Sequence, residues 1–252
     1  LTASRRGHQV TLLEKEPVLT GKLNIACHGE HKADLRRFRD YLLTQLRKSS
    51  VTVHTGVLAD TDVVRGLKPD ALVIAVGATP SRIPLPGVDG DNCMQISEFL
   101  QSPDTSLQHY IIIGGGSVGC ETALDLAEKG KDVSIIEMAD CLASASNDLY
   151  RLALSEHFAR YDNLHTYLNS ACQSIDADGV NVLTNGASTH ISGDKVLLSL
   201  GFRPDAKQVS SLYGIVPDTY YVGDCERVAT VAEAVNNAYF IGANVFQEQD
   251  II

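Results

Sequence analysis

Three glycines, Gly114, Gly116 and Gly119, stand in G-x-G-x-x-G spacing directly after the apolar run Tyr110–Ile113. Each position suits one physical task. The first glycine permits a tight turn, the second lets the backbone approach a pyrophosphate, and the third lets the following helix pack close to the strand. Such a helix presents unpaired N–H groups and the positive end of its dipole to phosphates. Glu137 lies 23 residues after Gly114. That is close to the ~20 expected of a carboxylate that accepts hydrogen bonds from an adenosine ribose. The implied chemistry is the binding of an adenosine-containing dinucleotide. It requires no protein nucleophile or acid–base dyad, and no catalytic residue is assigned.

A lone glycine pattern is weak, so the elements around it must decide. Tyr110–Ile113 reads as a buried strand, Gly119–Lys129 as a helix ending at Gly130, and Asp132–Ile136 as a second strand ending in Glu137. Strand, turn, helix, strand and acid together specify one dinucleotide-binding unit.

A second unit emerges from an internal repeat. Arg6-Gly-His-Gln-Val-Thr-Leu-Leu-Glu14 matches Lys129-Gly-Lys-Asp-Val-Ser-Ile-Ile-Glu137 at Gly, Val and Glu, 123 residues apart. Asp70–Pro80 matches Asp194–Pro204 at Asp, Gly and Pro, 124 residues apart. Two segments repeating at nearly one offset indicate two copies of one unit. The first copy keeps its acid, Glu14. Its glycine turn would fall before Leu1, so the sequence reads as a fragment whose first unit lacks its first strand and phosphate loop.

The remaining elements follow from periodicity and turn chemistry. Leu1–Gly7 reads as a helix end, Val10–Leu13 as a buried strand, and Glu16–Leu23 as a loop. Residues 31–48 have helical spacing of Leu35, Phe38, Leu42, Leu43 and Leu46. Strands are expected at Val51–His54, Ala71–Val76, His165–Leu168, Ala171–Ile175, Val180–Leu183, Thr189–Ile191, Lys195–Leu200 and from Thr219. Helices are expected at Ile96–Gln101, Asn147–Tyr161 and Thr230–Phe246. The stretch Ser81–Gly90, behind Pro80, reads as an interdomain connection. The fold class is α/β: two Rossmann-like dinucleotide-binding domains, the second inserted in the first, which is truncated at its N-terminus. Residues 1–88 and 205–252 form the first domain and 89–204 the second.

The chain has 252 residues, 44% hydrophobic and 21% charged, enough for one or two ordinary domains. Its net charge of −10 disfavours nucleic acid and anionic membrane surfaces. No apolar run reaches the ~18 residues of a membrane span. The six cysteines are dispersed without C-x-x-C, which suits a reducing, cytoplasmic setting and suggests no dithiol or metal cluster. Cys27, His28 and His31 are too few for a metal site, and no metal ligand is assigned.

Taken together, the Gly114–Glu121 loop, Thr20-Gly-Lys-Leu-Asn-Ile-Ala26, Val76-Gly-Ala-Thr-Pro80, Leu200-Gly-Phe-Arg-Pro204 and Tyr221-Val-Gly-Asp-Cys225 carry a resemblance. The chain resembles the C-terminal FAD- and NAD(P)-binding half of the 2,4-dienoyl-CoA reductase, 2-enoate reductase and trimethylamine dehydrogenase group, over nearly its whole length. The resemblance implies FAD at Glu14, at Gly21, Lys22 and Leu23, at Gly77, Thr79 and Pro80, and at Gly223 and Asp224. It directs the helix start near Val231, Ala232 and Glu233 toward the flavin. It implies NADH at Gly114, Gly116, Gly119 and Glu137, with Glu121 either approaching the nicotinamide or serving as an ordinary helix carboxylate. It also implies an upstream catalytic barrel of the same polypeptide, carrying FMN and a 4Fe-4S cluster, as partner. Thr20 departs from the pattern, since the group usually places a second glycine there.

Glu137 favours NADH over NADPH, because its carboxylate pairs with ribose hydroxyls and repels a 2′-phosphate. Met138 and Ala139 supply no arginine and Asp140 adds negative charge. Two other readings stay open: a stand-alone NADH-dependent flavoprotein reductase, and a dinucleotide-binding module without turnover. A homo-oligomer is also left open.

Overall fold

The computed structural model describes residues 1–29 and 32–246. They form two compact units. One comprises Leu1–Cys27, Lys32–Thr79 and the chain from Phe202 onward, and the other comprises Pro80–Gly201 together with His28 and Gly29. The second is thus inserted in the sequence of the first.

The first unit opens with helix α1 (Thr2–Arg5), strand β1 (Thr11–Glu14) and the short helix α2 (Lys22–Ala26). Helix α3 (Ala33–Arg47) follows, then β2 (Thr52–Thr55), α4 (Thr61–Leu67), β3 (Ala71–Ile74) and β4 (Ala78–Pro80). Among the described residues β1 pairs in parallel with β2 only. This corrects the expectation of a buried strand: with one ladder neighbour, β1 stays half-buried. α2 starts at Lys22, within the expected loop Glu16–Leu23, and runs beyond it to Ala26. α4 was not anticipated, although its signal was present: Asp60 caps it by accepting from the Val63 N–H at 2.8 Å.

The inserted unit holds β5 (Cys93–Gln95), α5 (Ile96–Gln101), β6 (His109–Ile113), α6 (Ser117–Glu128), β7 (Asp132–Ile136), α7 (Asp148–Phe158) and β8 (Leu164–Tyr167). Strands β9 (Ser170–Asp176), β10 (Gly179–Thr184) and β11 (Ala187–Ser192) make an antiparallel meander, and β12 (Lys195–Leu198) completes the unit. The β10–β11 hairpin closes through Asn185 and Gly186, both at positive φ (49° and 85°), as a two-residue turn requires. The main sheet is parallel, in the order β5-β12-β6-β7-β8. Its central strands β6, β7 and β12 are mostly apolar and buried because both faces are covered. Tyr110, Ile112, Val133, Ile135 and Leu197 pack under α5, α6 and α7. Ile111, Ile113, Ile136, Val196 and Leu198 pack under the meander. Residues 81–88 belong to this unit: Leu85 and Val88 join the meander-side core, and the Pro86 carbonyl accepts from the Ile175 N–H at 2.8 Å.

The chain then returns to the first unit through β13 (Phe202–Pro204), which pairs with β4, helix α8 (Ala206–Leu212) and β14 (Asp218–Tyr221), which runs parallel to β3. A 3₁₀ turn (Gly223–Cys225) leads to α9 (Val231–Asn244). α9 starts with a capping box: Thr230 accepts from the Glu233 N–H, and the Glu233 carboxylate accepts from the Thr230 N–H.

Candidate functional site

The parallel order places a topological reversal between β6 and β12. From β6 the chain adds β7 and β8 on one side, while β12 and β5 lie on the other. Crevices at such reversals, past the carboxyl ends of the strands, are where doubly wound sheets bind ligands.

The glycines stand at this point. Gly114 has φ +107°, and a methyl there would overlap the Ser199 carbonyl. A methyl on Gly119 would overlap the Gly114 carbonyl oxygen, so this glycine sets how close α6 comes to β6. Gly116 caps α6 with nothing within 4 Å of a would-be Cβ, which leaves open space before the helix start. Gly115, to which the sequence reading gave no role, is equally constrained. Its N–H donates to Glu137 Oε2 at 2.6 Å. Its carbonyl accepts from the Ala143 N–H at 2.7 Å and from the Cys120 thiol at 3.2 Å. The run Gly114-Gly115-Gly116 was the available signal, but the G-x-G-x-x-G template leaves its second residue unspecified.

Glu137 sits just past β7, and its other oxygen, Oε1, accepts from the Ala139 N–H at 2.8 Å. Both oxygens are therefore fixed, and each keeps a lone pair for a further donor. Glu121 lies in the second turn of α6, where its Oε1 accepts from the Tyr150 hydroxyl at 3.1 Å. Burial, and then the charge of Glu121, hold the Tyr150 phenol well above its usual range. The hydroxyls of Ser117 and Ser146 stand 3.0 Å apart beside the start of α6.

In the first unit, the structure joins residues 202 positions apart. Lys22 Nζ donates to Asp224 Oδ2 at 2.7 Å, and Asp224 Oδ1 accepts from the Ala229 N–H at 3.2 Å. The same ammonium lies 4.3 Å from the centre of the Phe202 ring, a cation–π contact that spacing could not reveal. Gly21, Gly77 and Gly223 all have positive φ, and no atom lies within 3.4 Å of a would-be Cβ on any of them. Leu23 lies in α2, while Thr79 and Pro80 lie in β4 beside β13. Val231 and Ala232 form the first turn of α9. Glu14 ends β1, and its Oε1 accepts from the Glu16 N–H at 2.9 Å. Thr20 adopts φ +79°, the left-handed region that a glycine enters freely and a β-branched residue rarely does. The backbone thus takes a glycine-like path despite the substitution, with the Thr20 hydroxyl donating to Asn24 Oδ1 at 2.8 Å.

All six cysteines are free thiols. Burial, followed by the charge of Glu137, pushes Cys120 up to about 12, and burial pushes Cys93 and Cys172 to about 11. Thiolate is the reactive form, so at pH 8 only ~10⁻⁴ of Cys120 is competent. Iodoacetamide is expected to leave Cys120 unmodified in the folded protein and to label it once urea is added; rapid labelling without denaturant, read by peptide mass spectrometry, would contradict this. No cluster of potential metal ligands occurs among the described residues, and His31 lies outside them. Nor is any helix among the described residues long and apolar enough to cross a membrane.

A two-unit α/β chain with an inserted parallel sheet and a glycine turn at its reversal point defines a class of nucleotide-binding proteins. The comparisons specify that class. The family model for pyridine nucleotide-disulphide oxidoreductases matches residues 1–239, and the chain belongs to this family. It is 32% identical over 244 residues to a bilirubin reductase of Mediterraneibacter gnavus, covering 96% of this chain and 38% of that protein. It is 32% identical over 247 residues to an NADH oxidase of Thermoanaerobacter brockii, covering 95% and 38%. Among solved structures, a 2-naphthoyl-CoA reductase complex superposes with a TM-score of 0.88 at 27% identity, covering 97% of this chain and 37% of that one. The chain spans less than two-fifths of the length of these relatives.

Proposed function

We propose that this chain is the cofactor-binding portion of a longer flavin-dependent oxidoreductase. In this reading the inserted unit takes NADH and the first unit takes FAD. Electrons pass onward to a catalytic barrel with FMN and a 4Fe-4S cluster, for reduction of an enoate- or dienoyl-CoA-type substrate. The observation that carries the reading is the cradle of the inserted unit: an open helix start at Gly116 beside a Glu137 carboxylate fixed by two backbone N–H groups. The names of the relatives, two reductases and an NADH oxidase, support the reaction class. The small share of those relatives that the chain covers supports a further domain.

The sheet order supports a further strand for the first unit. By the internal repeat, β1 corresponds to β7 and β3 to β12. In the inserted unit β7 and β12 both pair with β6, whereas among the described residues β1 pairs only with β2 and β3 only with β14.

Bound NADH and FAD would supply the hydride-transfer chemistry; the protein positions them. Gly116 and the start of α6 offer N–H groups to a pyrophosphate. Glu137 orients a ribose through its 2′- and 3′-hydroxyls, and its charge opposes a 2′-phosphate. Asp224 is held by Lys22 and Ala229 as a rigid acceptor in the first unit. The open positions at Gly21, Gly77 and Gly223 admit a close backbone approach there.

The test is the absorbance of the full-length protein without oxygen. A flavin spectrum that bleaches on adding NADH is the expected result. A colourless protein that binds NADH would leave only the binding-module reading, and a protein that binds no dinucleotide would end the proposal.

A further inference from the structure

The inserted unit has a cavity of about 440 Å³ at the end of the sheet opposite β7 and β8. Its lining includes Arg82, Val88, Asp89, Gln95, Glu98 and Leu198, all within residues 80–201. That volume lies within the usual range of small-molecule sites. Gln95 is its distinctive member. Gln95 is 6% exposed, its side chain does not cap α5, and it lines the cavity, where its carboxamide is not among the buried polar atoms left without a partner. An amide at the wall of a cavity can exchange water for the donors and acceptors of a ligand.

Strand register ties this cavity to the glycine turn. Ile136, Ile113, Leu198 and Gln95 stand in one rank across β7, β6, β12 and β5. Glu137, Gly114 and Ser199 each follow directly in the chain. At about 4.8 Å per strand, Gln95 lies three spacings, ~14 Å, from the Ile136 position. A dinucleotide laid along this edge has its adenosine ribose at Glu137 and its pyrophosphate at the β6 turn. Its second nucleoside then reaches the ends of β12 and β5. Doubly wound sheets divide a dinucleotide between their two halves in this way.

The lining chemistry selects which group arrives. Asp89 and Glu98 outnumber Arg82, so a phosphate is disfavoured and a neutral or cationic ring is favoured. Ile83, Val88, Met94 and Leu198 offer apolar surface to a flat ring. A glutamine amide is complementary to another primary amide, each donating and accepting once. We infer that Gln95 reads the carboxamide of the nicotinamide ring, which makes it a specificity-determining residue of the NADH site. This rests on the reading of the inserted unit as that site.

The experiment compares the binding of NADH, 3-acetylpyridine adenine dinucleotide and ADP-ribose to the full-length protein and to Gln95→Met. ADP-ribose keeps the adenosine and pyrophosphate but lacks the ring; the acetylpyridine analogue lacks the amide N–H₂. The expected result is a loss of about tenfold in NADH affinity, with ADP-ribose affinity unchanged and discrimination against the analogue abolished. Gln95→Glu, which retains an acceptor and adds negative charge, is expected to shift preference toward oxidised, cationic NAD. Unchanged NADH affinity and discrimination in both variants would overturn the inference while leaving the dinucleotide site standing. Equal losses of NADH and ADP-ribose affinity would overturn it by showing a structural role. Failure of the unaltered protein to bind either ligand would instead remove the underlying site.

Discussion

Gly119→Val is expected to lower kcat/KM for NADH by about 100-fold while leaving the flavin content of the full-length protein intact. The glycine lies in α6 with helical geometry, so no backbone strain is involved. The cost is steric: the first carbon added at this position overlaps the Gly114 carbonyl oxygen, which is backbone and cannot rotate away, and crowds Ser199 Oγ and Ile112. α6 must then recede from β6 by about 1 Å, enough for a misplaced group to cost ~10²-fold. Overpacking adds ~1–3 kcal/mol of destabilisation, measurable as a lower unfolding midpoint. A variant with native NADH kinetics would show that α6 tolerates the displacement and that its start does not position the cofactor.

Glu137→Ala is expected to erase the preference for NADH over NADPH. Hydrogen bonds to a charged group contribute ~1.5–3 kcal/mol, which corresponds to a loss of about 10- to 150-fold in kcat/KM for NADH. NADPH loses nothing comparable, because removal of the carboxylate also removes its repulsion of the 2′-phosphate. A second consequence is internal: the Gly115 N–H loses the acceptor that holds it at 2.6 Å, so the turn itself loosens. Glu137→Gln separates the two effects, since the amide oxygen can still accept from one N–H without the charge. Steady-state kinetics with both cofactors provides the check. Equal use of NADH and NADPH by the unaltered protein would remove the basis for the expectation.

The inserted unit was more legible in the sequence than the first. β6 and β7 are apolar, bounded by a glycine turn and an acid, and their ranges followed from that pattern. β1 carries the same pattern yet is only half-buried, because burial depends on the neighbours of a strand and not on its own residues. α4 and α8 were not expected: each buries a single residue, Val64 or Leu212, whereas the shorter α5 buries both Ile96 and Phe99, so only the caps Asp60 and Asp205 announced them. Residues 81–88 read as a connector because of their prolines, whereas Leu85 and Val88 in fact pack into the core under the meander.

The site divides along the same line. Gly114, Gly116 and Gly119 could be placed at one turn from spacing, because a turn between a strand and a helix is local and its stereochemistry is written in adjacent residues. The path at Thr20 could not: a threonine disfavours φ +79°, and the surrounding fold imposes it.

What the amino-acid order determined unaided was the kind of fold, the internal repeat and the glycine turn, since all three depend on periodicity and short-range geometry. Tertiary structure alone decided that Lys22 meets Asp224 over Phe202, that Gly115 is tied to Glu137, and that Gln95 and Leu198 line one cavity. Those relations join segments far apart along the chain. Their energy depends on distance and burial in space, which no interval between residues encodes.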